Sequence, residues 1–224
     1  APHFRPFVSM VVAAKNEEAV IRATVVELMK VVYHNVDGTP NYELIVVDDG
    51  STDRTAALLD RCAAADRRIT VIHQANAGLT QALIRGCAAA RGTFIARQDA
   101  DDVSYPERLE RQVDVLTANP GVGLISCAAQ YVGPEGEPLE IVSRPGGDGT
   151  RLLVEGHAGP PAHGTVMFGR SLYEQVGGYR AEFYFSQDND LWLRMTEHAR
   201  LEYLAECLYR CRRCREPFDY FKPY

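Results

Sequence analysis

Gly92-Thr93-Phe94-Ile95-Ala96-Arg97-Gln98-Asp99-Ala100-Asp101-Asp102 is the stretch that decides how this chain is read. Residues 93–96 have the pattern of a short buried strand opened by Gly92. The strand runs into three carboxylates within four residues, Asp99, Asp101 and Asp102. Just beyond, Ser104 and Glu107 have capping-box spacing around Pro106, which predicts the start of a helix. The acidic run is thereby placed at the carboxyl end of a strand, before a helix. In open α/β sheets that edge is where ligands bind. Carboxylates held this close repel one another, and a divalent cation would relieve the repulsion. Hard oxygen ligands suit Mg²⁺ or Mn²⁺, which usually bind through one or two carboxylates plus substrate phosphates. Taken alone, the run also reads as a solvated acidic turn.

Upstream of this stretch, strand and helix alternate. Residues 7–12 form an apolar run of strand length, and Asn16 can cap the next helix with Glu17 and Glu18 in its first turn. Ile21, Val25, Leu28, Met29 and Val32 then fall on one helical face. Residues 44–47 are a second buried strand ending in Asp48-Asp49-Gly50-Ser51-Thr52-Asp53, where Ser51 or Thr52 can cap a helix carrying Ala56, Leu59, Cys62 and Ala63. Residues 69–72 are a third strand. Asn76-Ala77-Gly78 makes the turn into a helix bearing Leu79, Leu83, Ile84 and Cys87, which leads back to Gly92. Such alternation with short connections predicts a parallel sheet with helices on both faces.

Downstream, Leu109, Val113 and Leu116 mark another helix, ended by Asn119-Pro120-Gly121. The rhythm then changes. Residues 122–132 read as a strand, Gly133-Pro134-Glu135-Gly136 as a turn and residues 139–142 as the returning strand, so the second half is expected to be mixed. Ser171 and Glu174 repeat the capping-box spacing before a short helix stopped by Gly177-Gly178. Gln187-Asp188-Asn189-Asp190 opens a helix with Leu191, Trp192 and Met195, where acidic residues are ordinarily dipole partners. The aromatic and basic tail from residue 208 reads either as a closing segment or as an edge packed on the core.

Composition sets the outer bounds. With 46% hydrophobic and 24% charged residues the chain is an ordinary globular one, and a net charge of −6 argues against a protein that holds nucleic acid by neutralising phosphates. No apolar run approaches the ~18 residues needed to cross a bilayer. Residues 1–6 lack the apolar core of a signal peptide, so a cytoplasmic protein is expected. Cys62, Cys87 and Cys127 lie in apolar patterns and read as small core residues. Cys207, Cys211 and Cys214 cluster without a neighbouring fourth zinc ligand, and packing with ordinary surface thiols is the plainer reading.

Three stretches together resemble the family-2 glycosyltransferases of the GT-A fold. They are Val46-Val47-Asp48-Asp49-Gly50-Ser51-Thr52-Asp53, then Asn76-Ala77-Gly78-Leu79 with residues 90–102, then Gln187-Asp188-Asn189-Asp190-Leu191-Trp192-Leu193-Arg194. The likeness runs from about residue 8 to about residue 209. It implies a Rossmann-like α/β fold in one GT-A domain, with residues 1–119 binding the nucleotide sugar and residues 120–224 supplying acceptor contacts and the base. It also implies inverting, metal-dependent transfer of one sugar from a nucleotide-diphosphate sugar, in the first place a UDP-sugar. The acceptor would be a hydroxyl on a sugar, a lipid-linked glycan or another molecule, in cell-surface polysaccharide, exopolysaccharide or glycolipid biosynthesis. Peripheral contact with a membrane stays open.

Position by position, the resemblance implies that Asp49 meets the nucleobase near Ala14, Lys15 and Glu17. Asn76, Gly78 and Ala100 would adjoin the nucleotide sugar, Asp99 the ribose, and Asp101 would hold Mn²⁺ or Mg²⁺. Asp188 would be the general base, with Gln187 and Trp192 on the acceptor side. Asp190 is expected as a structural partner, capping the helix or pairing with Arg194 four residues on. His163 precedes the apolar run 166–168 and is placed either on that side or as a loop-holding residue. The chain has Ala13, Lys15 and Gln187 where the family usually has proline, an aromatic and glutamate. It carries no Q-x-x-R-W motif, so single-sugar transfer is expected. Two other classes stand against this one. A sugar-nucleotide nucleotidyltransferase would show a glycine-rich basic loop after the first strand, where this chain has Ala13-Ala14-Lys15-Asn16-Glu17. A phospho-acceptor signalling domain also uses an aspartate pair at a strand end, but leaves Asp188 and Trp192 without a task.

Overall fold

The computed structural model describes residues 5–213. Its first half alternates β1 (Val8–Ala14), α1 (Ile21–Leu28), β2 (Tyr42–Asp49), α2 (Thr55–Ala65), β3 (Ile69–Gln74), α3 (Leu79–Ala89) and β4 (Phe94–Asp99). A two-residue β5 (Val103–Ser104) and α4 (Arg108–Ala118) follow. The second half holds β6 (Val122–Val132), β7 (Pro138–Val142), β8 (Gly147–Asp148), α5 (Thr150–Val154), a 3-10 turn at His163–Thr165 and β9 (Met167–Gly169). It ends with α6 (Arg170–Gln175), α7 (Gln187–Thr196) and β10 (Arg200–Arg212).

One sheet runs β3-β2-β1-β4-β9-β6-β10-β5, with β7 added on β6 and β8 on β10. β3, β2, β1 and β4 are mutually parallel. The three-residue β9 joins β4 to β6 antiparallel on both sides, and β10 then runs parallel to β6. The first half is thus parallel and the second mixed, as the change of rhythm at Pro120 predicts. β1 lies inside the sheet and feeds both faces. Val8, Met10 and Val12 pack with Ile21, Leu28, Leu59 and Leu109 of α1, α2 and α4. Val11 packs on the other face with Leu83 of α3 and, in the same cluster, Leu172 of α6 and Leu191 and Trp192 of α7. Each such fully buried aliphatic side chain is worth roughly 1.5–3 kcal/mol, so the two apolar layers, not the turns, hold the strand ends in place.

The caps differ from the sequence expectations. Asn16 does not cap α1, which begins at Ile21. Asn16 takes a left-handed φ of 55° and its Oδ1 accepts the Thr52 N–H at 2.8 Å. Ser51 and Thr52 are consumed by that same cross-link, and Asp53 takes the Thr55 N–H at the start of α2 instead. Ser104 lies in β5 and donates its hydroxyl to Gln98 Oε1, so the Ser104–Glu107 box does not form. Ser171 lies inside α6, and Glu174 is engaged by Arg170 at 2.6 Å. α1 stops at Leu28, which leaves Val32 exposed and off its apolar face. Asn16, Ser51, Thr52 and Ser104, which could have capped helices, instead bond strand-end loops and strands. The tail, as far as Arg212, is the packed alternative: β10 sits between β6 and β5, and Tyr209 is fully buried.

Candidate active site

Parallel register gathers the predicted nucleotide-site residues. Ala14 stands beside Asp48 and Ala13 beside Asp99, so the carboxyl ends of β1, β2 and β4 meet in one row. The loop after β1 is laced to the loop after β2. The Asn16 N–H donates to Ser51 Oγ at 3.0 Å, the Glu17 N–H to Thr55 Oγ1 at 2.8 Å, and the Arg54 N–H to Glu18 Oε2 at 3.0 Å. Lys15 and Glu17 are thereby held at the mouth of the row, both half-buried. Asp49 points to the opposite face of β2 from Asp48. Its Oδ1 accepts from Gln74 Nε2 and the Ala77 N–H, and its Oδ2 from the Gly78 N–H, at 2.7–2.8 Å. The turn containing Asn76 and Gly78 is pinned on that carboxylate. Gly50 must lack a side chain there, because a Cβ would come within 2.6 Å of the Asn76 nitrogen at a backbone φ of +69°.

The acidic run sits at the end of this row. Asp99 Oδ1 pairs with Arg97 Nη2 at 2.6 Å, and the Asp99 N–H donates to Tyr209 Oη at 3.1 Å. Asp102 is buried; its Oδ1 accepts the Arg212 N–H at 2.7 Å, while its Oδ2 has no partner. Burial and the charge of Asp99 push the Asp101 carboxyl up to about 6. Burial, then Asp99 and Asp101, raise Asp102 well above the ordinary carboxylate range. Across the row, burial and the charges of Asp101, Asp53 and Asp99 push Glu17 up to about 7. Ala100 is buried between its acidic neighbours. Negative charge is in excess here, and a buried carboxylate oxygen is orphaned. Among the described residues no group of three or more His, Cys, Asp or Glu forms a metal cage. The excess of negative charge and the orphaned oxygen fit Mg²⁺ or Mn²⁺, ions usually held by one or two carboxylates and completed by substrate phosphates. When bound, such an ion supplies Lewis-acid neutralisation of a diphosphate.

The second half brings α7 to the same place. Ser186, at a left-handed φ of 57°, turns the chain into the helix. With Asn16 it is one of the two non-glycine residues of positive φ among those described, and both flank the cleft. Asp188 is half-buried and its Oδ1 accepts the Asn189 N–H at 2.9 Å. Burial raises its pKa; Asp99 adds to the rise and the charge of Arg97 opposes it, so Asp188 lies within electrostatic reach of the strand-end pair. Asp190 is differently placed. Arg194 holds it at 2.6 Å and Arg180 at 3.3 Å, and Arg194 also donates to the carbonyls of Val176 and Gly178. It is the structural partner expected from the spacing of Asp190 and Arg194.

The acceptor-side residues are packed inward. His163 Nε2 lies 2.8 Å from Tyr179 Oη, and its ring meets Tyr179 and Trp192 edge-on. Burial, aided by Arg97, lowers its pKa well below the usual histidine value, so the ring is neutral. The ring ties its loop to Tyr179 and α7 while staying half-buried. Trp192 is buried with its Nε1 unpartnered, and Gln187 is buried in the first turn of α7. Cys207 and Cys211 lie on β10, and Cys214 lies outside the described residues.

Sequence reading missed Arg97 and Tyr209. An arginine directly after the apolar run 93–96, two residues before Asp99, was the available signal for the first. Tyr209 had none, because its hydroxyl meets Asp99 across 110 residues.

The fold is one that known glycosyltransferases share. Residues 1–349 of TarS from S. aureus, in complex with UDP-GlcNAc, superpose with a TM-score of 0.78 at 18% identity, covering 97% of this chain and 62% of that one. A mannosyltransferase from Pyrobaculum calidifontis, in complex with GDP-Man and Mn²⁺, superposes with a TM-score of 0.73 at 24% identity, covering 98% and 60%. The glycosyl transferase family 2 profile matches residues 9–177, and the chain belongs to that family. Among its relatives, the putative glycosyltransferase EpsE of Bacillus subtilis is 33% identical over 97% of this chain and 76% of its own length. The glycosyltransferase EpsJ of the same organism is 31% identical over 82% of this chain, which spans 52% of EpsJ.

Proposed function

We propose that this chain transfers one sugar from a nucleotide-diphosphate sugar, a UDP-sugar in the first place, to an acceptor hydroxyl with inversion at the anomeric carbon. One observation carries the reading: α7 of the second half delivers Asp188, without a basic partner in ion-pair range among the described residues, to within electrostatic reach of the Asp99–Arg97 pair at the end of β4. A single carboxylate facing the donor site is what one in-line displacement requires. Asp188 takes the proton of the acceptor hydroxyl as that oxygen attacks. The raised Asp188 pKa brings the base nearer to neutral pH, which favours proton transfer.

The row after β1, β2 and β4 takes the nucleotide in this reading. Asp101 would hold Mn²⁺ or Mg²⁺, which would supply neutralisation of diphosphate charge, while Asp99 approaches the ribose and Asp49 acts on the base through the turn it pins. Residues 1–119 serve the donor and residues 120–224 the acceptor and base. A cytoplasmic location goes with it; among the described residues no helix is long and apolar enough to cross a membrane. Support for the donor class comes from the UDP-GlcNAc and GDP-Man held by the structural neighbours. The acceptor would be a growing surface glycan or glycolipid.

The test is nucleotide release from a panel of UDP-, GDP- and dTDP-sugars, with and without Mn²⁺. Release from a UDP-sugar that needs both Mn²⁺ and an acceptor supports the reading. Release of pyrophosphate instead would mark a nucleotidyltransferase, and no release from any donor would remove the enzymatic reading.

A further inference from the structure

Arg97 is a buried cation with less satisfaction than its burial requires. It precedes Asp99 by two residues on β4, so both side chains leave the same face of the sheet. Arg97 is 3% exposed and Asp99 33%. The Nη2–Oδ1 pair at 2.6 Å is its ion pair, while Nε and Nη1 are buried without partners. Burying a guanidinium is costly unless it is paired and hydrogen-bonded throughout.

The neighbouring Arg108 shows how this chain places an arginine for structure alone. On the opposite face of β4, its fork is met by Gln112, Ser104 and Gln98 and by the carbonyls of Arg97 and Val166. Arg108 is saturated and Arg97 is not. Besides Asp99 and the buried Tyr209 and Tyr179, its charge reaches Asp101 on the same turn and Asp188 on α7.

We propose that Arg97 is a positioning residue for sugar transfer, aligning Asp99 from beneath the cleft and setting the field in which Asp188 works on the other side. This rests on the reading of Asp188 as the base. An arginine suits the task better than a lysine. Its planar fork fixes a carboxylate's direction while remaining charged, whereas an ammonium is a point charge on a flexible stem. The pair also gives the two halves of the chain a common element. A change in the Asp99–Arg97 geometry is felt at Asp188 without any backbone of the second half moving.

The experiment is a double-substitution cycle on the full chain, using the nucleotide sugar that turns over fastest in the panel above. Arg97→Gln and Arg97→Lys are made alone and combined with Asp188→Asn, and calorimetry gives the affinity for UDP with Mn²⁺. Arg97→Gln is expected to lower kcat at least tenfold, and Arg97→Lys to recover at least threefold of that loss. In the Asp188→Asn background the same substitutions should cost less than threefold more, because the group through which Arg97 acts is already disabled. The same cost in both backgrounds would assign Arg97 to structure alone and overturn the proposal. If Arg97→Gln fails to fold, Arg97→Lys carries the cycle by the same criterion. If Asp188→Asn does not slow transfer, the base assignment fails by itself. Arg97 is then judged through Asp99, where a threefold or greater loss of UDP–Mn²⁺ affinity in Arg97→Lys keeps its positioning role and an unchanged affinity ends it.

Discussion

The two acidic edges of the cleft manage the same charge in opposite ways. On α7 the balance is struck residue by residue: Asp190 is held by Arg194 and Arg180, and Asp188 is left with one backbone N–H. On the turn after β4 the balance is shared. Arg97 pairs with Asp99, while Asp101 and Asp102 crowd in beside it with raised pKa values. An edge settled one carboxylate at a time singles out a lone group able to accept a proton. An edge left in deficit as a whole calls for an external cation. In the proposed reading this contrast corresponds to general-base chemistry on α7 and metal-assisted diphosphate chemistry at the β4 turn.

The largest expected effect tests the first edge. Asp188→Asn should cut transfer by ~10²–10⁴-fold, the usual range for a general base, with donor affinity nearly unchanged. Steady-state rates alongside UDP calorimetry would read this, and a similar loss in Asp190→Asn would erase the contrast within α7. The second edge is tested by Asp101→Ala, which should remove the tightening of UDP binding by Mn²⁺, a change of tenfold or more. Thermal shift with UDP at 100 times its Kd should give about 2.7 kcal/mol of stabilisation in the parent. Equal Mn²⁺-dependent stabilisation of the variant would mean that the deficit there is not answered by a metal.

Smaller effects concern stability. Asp190→Asn leaves Arg194 without its carboxylate and loosens its grip on the carbonyls of Val176 and Gly178. A loss of about 2 kcal/mol in urea unfolding is expected, below the cost of breaking a fully buried pair. Asp101→Asn should do the reverse. A carboxyl raised in the folded state from 3.8 to about 6 binds more protons folded than unfolded. Its contribution is full below the unfolded value and is lost as pH rises through about 6. Removing the charge should therefore stabilise the free protein by up to about 3 kcal/mol at pH 7 and by well under ~1 kcal/mol at pH 4. A gain of equal size at both pH values would show that repulsion within the turn is not its source.

Much of the fold was open to sequence reading because it rests on periodicity. The run at residues 122–132 became β6 with the same bounds, and the stripe of Leu109, Val113 and Leu116 became the buried face of α4. Caps were the weak point. Asn16, Ser51, Thr52 and Ser104 have the composition of helix starts, and each instead bonds a loop or strand that lies elsewhere in sequence. A short polar side chain bonds whichever backbone is nearest, and nearness is decided by the packed sheet. The site was legible where its parts are local, as in the run from Asp99 to Asp102 and the Asp190–Arg194 pair. It was not legible where a side chain acts through a distant partner. Asp49 pins a turn through Ala77 and Gly78, and the importance of Arg97 comes from burial that no local pattern announces.

The insertion of β10 between β6 and β5 has a consequence for the order in which the site is made. The Asp99 N–H meets the Tyr209 hydroxyl and the Asp102 carboxylate meets the Arg212 N–H, each across 110 residues of chain. During synthesis the parallel strands β1 to β4 can therefore come together long before the acidic turn acquires its far supports. Until β10 docks, a nascent chain would hold its carboxylates on an untethered loop, unready to take a metal or a nucleotide. The acidic turn therefore gains its last two supports only once β10 has been made and docked.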